Sequence, residues 1–525
     1  MKLGKRATTS IIIFIVSLIF AVPLYLFFSP LSLLLPFLIA ASYYLIPIFK
    51  YERLKYSEAE NAFVFSLLVA SYSYIYKDVF NAIVASIKVL KNSKSLFVKN
   101  IASTSWKNIT IDKKVDLKRI NNKFISSVDP FFQDVLSLTS SSLKEQGEKS
   151  LQGIKTALTF HTNSIFSSLL EKSRNSVNPT RIIFSILIIF PVFLLIMLPL
   201  AVLFLPEVVS SPNLFLVFNI VIPILSFLAL EWFSIHLLTK PSFYSFKSRN
   251  VQYGIAVISI LLLFVSLISF FFSESIYVVV SFLLFSLTTF FTLYILYRKD
   301  YIELLKNYEL IDKLPSFFII LSKQLSKGIP FERAMIDAEK KEKININSSM
   351  FLLGKDMLKM DKVLSSYSYF IDILREASKK NITNEIASVI NHFLNLKKES
   401  EEKIRFINEE TLHSAKLLII FVIPVIAAVS SAFSDSLDKL LSAFNFGELA
   451  FFEVSNQPFL LTFILSLYTV EMIFVLTLFV SKLEGIRDPF YYIYEMAKNL
   501  ALGFIVFSIT FVLSVYFINL STVVI

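Results

Sequence analysis

Cysteine is absent from this 525-residue chain, which excludes disulfides, thiolate nucleophiles and thiolate-bound metals. Glycine is scarce, at nine residues, and none of them stands in a G-x-x-x-x-G-K-[ST] run. No loop is therefore built to cradle a nucleotide phosphate, and work that consumes ATP needs a partner. The four histidines, His161, His236, His392 and His413, are too scattered to make a metal site by spacing. No Ser-His-Asp arrangement can be argued either. Neither catalysis, nor a cofactor, nor a metal is expected. Charge is thin as well: 17% of residues are Asp, Glu, Lys or Arg, against about 25% in soluble domains. No stretch alternates as a strand would.

What fills the chain is apolar. Hydrophobic residues make up 55% and the mean hydropathy is +0.67. Nine segments of roughly 19 to 25 residues carry few or no charges, each long enough for a helix to cross about 30 Å of hydrocarbon. They are Ser10–Phe28, Leu31–Phe49, Ile182–Leu205, Leu214–Leu238, Gln252–Phe272, Ile276–Tyr297, Ala415–Phe433, Pro458–Val480 and Leu500–Ile518. Met1–Arg6 is basic, as in a secretory signal, but no small-residue cleavage site follows and a second span comes at once. The first segment reads as a retained membrane helix.

Basic residues orient the chain. With the amino terminus inside, the outer loops are Ser29–Pro30, Pro206–Asn213, Ser273–Ser275 and Ser434–Gln457, and of the 51 Lys and Arg only Lys439 falls in them. The short inner segments hold Lys2, Lys5 and Arg6, then Lys240, Lys247 and Arg249, then Lys482, Arg487 and Lys498. Positive charge kept inside sets topology. The expectation is a multi-pass protein of the cytoplasmic membrane, amino terminus in the cytoplasm and carboxyl terminus outside. The net charge of +11 then describes a cytoplasmic face beside anionic lipid headgroups, or one that meets an acidic protein. Acidic residues are interspersed and no arginine stripe appears, so nucleic acid is not an expected partner.

The spans are unevenly placed. Residues 1–49 hold two, 50–181 form a polar body, 182–297 hold four, 298–414 form a second polar body, and 415–525 hold three. Two spans, a body and two spans thus occur twice, with one span extra, and four spans per copy keep both copies in one orientation. A faint sequence echo accompanies the layout: Phe65 corresponds to Phe317 and Ala82 to Ala334, equally spaced in the two halves. The expected fold is an all-α polytopic membrane protein with two cytoplasmic helical bundles in a parallel internal duplication.

The second body reads as helices. Over Tyr301–Ser326, Leu304, Leu305, Tyr308, Ile311, Leu314, Phe318, Leu321 and Leu325 recur at steps of three and four, one buried stripe. Pro315 should kink or divide that helix. Gly328 can end it in a left-handed conformation, and Pro330 suits the first turn of a helix over about Phe331–Lys343. Asn345–Ser349 reads as a turn before a helix through Lys359. Lys362–Lys379 and Thr383–Ser414 follow, the last running on into the membrane. In the first body Asn100–Asn122 reads as loop and Phe124–Glu171 as helical.

Leu-Pro-x-Phe at Leu314–Phe317, a hydrophobic helix, and then Lys-Gly-Ile-Pro-Phe-Glu-Arg-Ala at Lys327–Ala334 resemble the opening of the type II secretion F domain. The duplicated layout resembles the archaeal branch of that family, the platform proteins of archaella and type IV pili, related to tight-adherence platforms. The motif covers about twenty residues, the layout nearly the whole chain. This sequence departs from the pattern in its first half, where no Leu-Pro or Gly marks the turn and Tyr76 occupies the position of Gly328. The resemblance implies a non-enzymatic platform, a homodimer, that binds a hexameric secretion ATPase from the cytoplasm and passes its motion to prepilin subunits in the bilayer. It also implies that the ATPase-facing surface lies around Leu314, Pro315, Phe317, Gly328, Glu332 and Ala334.

Glu231 and Glu471 are carboxylates inside apolar segments, each in the fourth span of its copy. A charge at such depth costs roughly 2.5–3.5 kcal/mol and turns toward a partner or water. Two roles are open: a protonated or hydrogen-bonded tie between neighbouring helices, or a polar seam that receives prepilin helices or lets the halves move. Paired intramembrane carboxylates and parallel repeats also occur in secondary transporters, the competing reading; a membrane receptor or scaffold is the third. Against a transporter stand the long polar bodies and the lack of matched helix breaks, since Pro23, Pro36, Pro47, Pro191 and Pro424 show no pairing.

Overall fold

The computed structural model describes residues 34–90, 95–112, 123–145, 147–164, 167, 171, 211–234, 249–269, 274–343, 368–443, 458–486 and 488–523. Every element among them is helical. The chain divides into two compact bodies: a membrane body of Met1–Lys50, Ser176–Ile302 and Asn408–Ile525, and a polar body of Tyr51–Asn175 with Glu303–Ile407. The two polar segments, separate in sequence, thus share one body.

Helices α1 (Leu34–Tyr76), α2 (Val79–Val89), α3 (Leu96–Asp112), α4 (Lys123–Val128), α5 (Phe132–Ser142) and α6 (148–164) form the first part. Membrane helix α7 joins Ser211–Leu216, a π segment Val217–Val221, and Ile222–Phe233; α8 is Arg249–Ser269. Next come α9 (Ser275–Leu325), α10 (Phe331–Glu342), α11 (Ser368–Lys379) and α12 (Thr383–Leu417). A second π segment, Leu418–Val422, leads without a break into α13 (Ile423–Ala443), and α14 (Pro458–Leu483) and α15 (Pro489–Val523) close the chain.

Among the described residues five helices are long and apolar enough to cross a membrane: Asn213–Phe233, Ser275–Leu325, Asn408–Ser436, Phe459–Leu483 and Pro489–Ile518. This makes the chain a multi-pass membrane protein. Of the other expected segments, Leu31–Phe49 falls largely in α1 and Gln252–Phe272 largely in α8, whereas Ser10–Phe28 and Ile182–Leu205 lie outside the described residues. The expected turn and helix over 345–359 lie outside them too.

In the polar body the helical stripe expected from Tyr301 to Ser326 is buried at Leu304, Tyr308, Ile311, Leu314, Phe318, Leu321 and Leu325, but Leu305 is exposed. Pro315 does not divide the helix, since α9 runs through it to Leu325. Gly328 then takes φ +79, and its N–H bonds the Leu325 carbonyl while Ile329 N–H bonds that of Gln324, a left-handed cap satisfying the last carbonyls. Pro330 stands just outside α10 as its N-cap, not in its first turn.

The segment Asn100–Asp112, expected as loop, is helical within α3. Its polar side chains fold back onto the helix: Asn100 donates to Leu96 O, and Ser103 and Thr104 donate to Asn100 O. Phe97, Val98 and Ile101 supply the buried face. The start of α3 is capped from a distance. Glu58 on α1 accepts from Ser95 Oγ at 2.6 Å, Leu96 N at 3.1 Å and Phe97 N at 2.9 Å, filling orphan donors of a helix N-terminus with a carboxylate. Phe65, Phe97 and Phe132 make the aromatic centre of this half.

Candidate functional site

The membrane body is organised around the α14–α15 hairpin. Its turn is specified locally. Gly485 takes φ +79, Ile486 N–H reaches Ser481 O at 2.8 Å, and Asp488 accepts from Phe490 N at 2.9 Å to cap α15, with Pro489 in the first helical position. The two arms are cross-braced: Tyr492 Oη donates to Phe474 O at 2.9 Å and Asn499 Nδ2 to Thr477 Oγ1 at 3.0 Å. A Cβ added to Gly503 would come within 2.8 Å of Ile473 Cδ1 and 3.6 Å of Ile419 O. The missing side chain is what lets α15 lie against both α14 and the second π segment.

Glu231 sits two residues before the end of α7 and forms an ion pair with Lys482 near the end of α14, both nearly buried. Higher on the same pair of helices, Phe218 packs edge-on against Tyr468 with centroids 5.6 Å apart. The two contacts set α7 and α14 side by side and running the same way. Glu471 lies on the α14 stripe of Tyr468, Val475 and Lys482, at helical spacing. One of its carboxylate oxygens is buried without a hydrogen-bond partner, as are both amide atoms of Asn219 in the neighbouring π segment of α7.

The two carboxylates are therefore not equivalent. Glu231 is tied to a cation at a helix end, and Glu471 stands twelve residues before the end of its helix. The structure does not bring them together.

Both π segments precede an Ile-Pro pair, Ile222-Pro223 and Ile423-Pro424. A proline ring clashes with the carbonyl four residues earlier, and here those carbonyls belong to Asn219 and Ile420, inside the widened turns. π segments of this kind accommodate the clash without ending the helix. The sequence reading overlooked Pro223, although the shared Val-Ile-Pro was the available signal.

A second cluster surrounds the α14–α15 turn. Glu484 pairs with Lys416 of α12 at 2.6 Å and accepts from Tyr491 Oη at 2.9 Å. Glu495 of α15 accepts from Tyr301 Oη of α9 and pairs with Lys498 at 3.3 Å. The Tyr301 ring stacks on Tyr494 at 3.9 Å and lies 5.9 Å from Tyr491. Sequence reasoning missed Lys416, Glu484, Tyr301 and Glu495. Lys482 was counted only as a topology charge, and the tyrosine-dense run Tyr491–Tyr494 was the one visible signal.

The motif residues belong to the polar body. Leu314, Phe317 and Ala334 are fully buried and Pro315 is half-buried, which leaves Gly328 and Glu332 exposed. Packing accounts for the three buried positions; of the six, Gly328, Glu332 and in part Pro315 are open to solvent.

Elsewhere in that body, His161 Nε2 lies 2.7 Å from Asp129 Oδ2 with both side chains fully buried, and His392 Nε2 lies 2.6 Å from Thr159 Oγ1. Burial holds His392 below its ordinary value, and Lys155 adds to this. Among the described residues no cluster of three or more His, Cys, Asp or Glu could hold a metal. No family model matches the chain, and no curated protein or solved structure matches it.

Proposed function

We propose that this protein is a non-enzymatic membrane platform for assembly of type IV pilus-like filaments, coupling a cytoplasmic secretion ATPase to prepilin subunits in the bilayer. The observation that carries the reading is helical continuity. Helix α9 runs 51 residues from Ser275 to Leu325, and the α12–α13 run is unbroken from Thr383 to Ala443. Both include residues of the membrane body and of the polar body. Rigid helices of this length transmit displacement, which a platform needs and a simple anchor does not.

In this reading the chain has nine spans, its polar body faces the cytoplasm, and the two halves are a parallel duplication. Matched turns favour the duplication. Asp78 caps α2 and Pro330 caps α10, 252 positions apart. At that same separation Phe65 matches Phe317 and Ala82 matches Ala334, all four buried. The halves differ where the glycine is missing. There α1 extends to Tyr76 and Lys77 takes the left-handed conformation instead, φ 58. The resemblance adds a hexameric ATPase, a homodimer and surrounding lipid as partners.

The paired π segments are the observation that favours a secondary transporter, because interrupted spans mark binding sites in such proteins. They fall in the fourth and seventh expected spans, however, which do not correspond between the copies. Deleting the coding sequence separates the readings. The platform reading predicts loss of surface filaments with prepilins retained in the membrane. Normal filaments with a solute-dependent growth defect would favour the transporter.

A further inference from the structure

Within the membrane body, the α14–α15 turn is where side chains from α9 and α12 reach the hairpin. Tyr301 is the next-to-last residue of α9 that belongs to the membrane body, and Lys416 stands two residues before the second π segment. One reaches Glu495 and the other Glu484. Those two glutamates flank a single capped turn, and Tyr491 links them by bonding Glu484 while lying against the Tyr301 ring. Beyond the turn, the bonds from Tyr492 and Asn499 make α14 and α15 one braced hairpin.

We infer that this cluster is the clasp through which displacement of the polar body's helices is delivered to the membrane hairpin, with Lys416, Glu484, Tyr301 and Glu495 as positioning residues. The inference rests on the platform reading for what is delivered, but the tie itself is a separate claim. Its chemistry suits the task. The Lys416–Glu484 pair is only partly covered, Lys416 being 46% and Glu484 20% exposed, so it can break and re-form without stranding a buried charge. On its aromatic side Tyr491 and Tyr494 are buried against the Tyr301 ring.

Charge reversal tests it in the full-length protein in its own membranes. Lys416→Glu and Glu484→Lys should each lower filament output by roughly tenfold or more, an ordinary coupling magnitude. The ATPase should still co-purify, and the double reversal should restore output. Unchanged output in a single reversal, or a properly folded double reversal that fails to restore it, would overturn the inference while leaving the platform reading in place.

A second measurement does not depend on filaments. The chain has no cysteine, so spin labels at Leu417→Cys and Leu502→Cys, both exposed positions, report one distance within a chain when labelled protein is diluted with unlabelled protein. The clasp predicts that this distribution broadens in each single reversal and narrows in the double reversal. A distribution indifferent to all three would overturn the tie. Wild-type cells without filaments or bound ATPase would sink the platform reading and leave the clasp to be decided by the labels.

Discussion

The polar body and the membrane body are both helical, yet they are specified by opposite rules. In the polar body aromatic side chains pair inside, as with Phe63 on Phe393 and Phe318 on Phe370, although Phe406 is 78% exposed. The buried carboxylates are satisfied, Glu58 by three donors and Asp129 by His161 and Phe131 N, while the Ser66, Ser71 and Ser73 hydroxyls are buried without a partner. In the membrane body apolar residues lie on both sides: Ile295 is 77% exposed and Phe517 65%. Hydrophobic burial cannot choose a face where the solvent is hydrocarbon. Small residues and polar ties choose it instead, here Gly503 against Ile473, the buried Ala427, Ala428 and Ala432 of α13, and the Glu231–Lys482 pair.

Substitutions can sharpen that contrast. The largest expected effect is in the polar body, where Asp129→Ala takes the acceptor from two donors, His161 Nε2 and Phe131 N, and opens the turn before α5, costing about 1–3 kcal/mol for each buried group left unsatisfied. Thermal unfolding of the purified chain, or proteolysis confined to the polar body, reads it. In the membrane body Lys482→Met removes the cation from nearly buried Glu231 and should cost about 3 kcal/mol, the lower end for breaking a buried pair, whereas Glu231→Leu with Lys482→Leu should recover most of it. A double variant as unstable as the single one would mean that the pair is not the relevant tie. Gly503→Ala forces a contact on Ile473 and should cost about 1–3 kcal/mol, as overpacking does. A second change, Ile473→Val, should relieve it, measured as melting temperature in detergent.

Smaller effects belong to the turns and to pH. Gly328→Ala meets nothing within 4 Å but keeps a left-handed backbone, a cost of about 1 kcal/mol. His392 is held below its ordinary value of 6.5 by burial, so the neutral form is favoured on folding. Its contribution is present above 6.5 and is lost as the pH falls through the lowered value. Unfolding midpoints of the polar body should drop on acidification, and His392→Gln should flatten that part of the profile.

The same contrast explains what could be read from the sequence. Polar-body helices face water, so the stripe from Leu304 to Leu325 announced its buried side, and only Leu305 was misassigned. The left-handed turn at Gly328 was legible because few residues tolerate it. Asn100–Asp112 was not, because its side chains bond their own helix, a pattern composition alone reads as loop. In the membrane body α14 is apolar over most of its surface, and its small polar residues Thr462, Ser466, Thr469, Thr477 and Ser481 mark a buried side without announcing where Lys482 meets Glu231. Lys416, Glu484, Tyr301 and Glu495 lie far apart in sequence and become a cluster only through the hairpin. Glu231 and Glu471 stood out as isolated carboxylates, while their different depths along the helices needed the packing.

Whether displacement of the polar body serves a filament machine is tested most directly by capture. The tagged full-length chain is drawn from its own cells in mild detergent, and its companions are identified by mass spectrometry. The account predicts a hexameric secretion ATPase together with short single-span prepilin-like subunits. Recovery of neither, with a solute-dependent rise in the thermal stability of the purified protein, would contradict it.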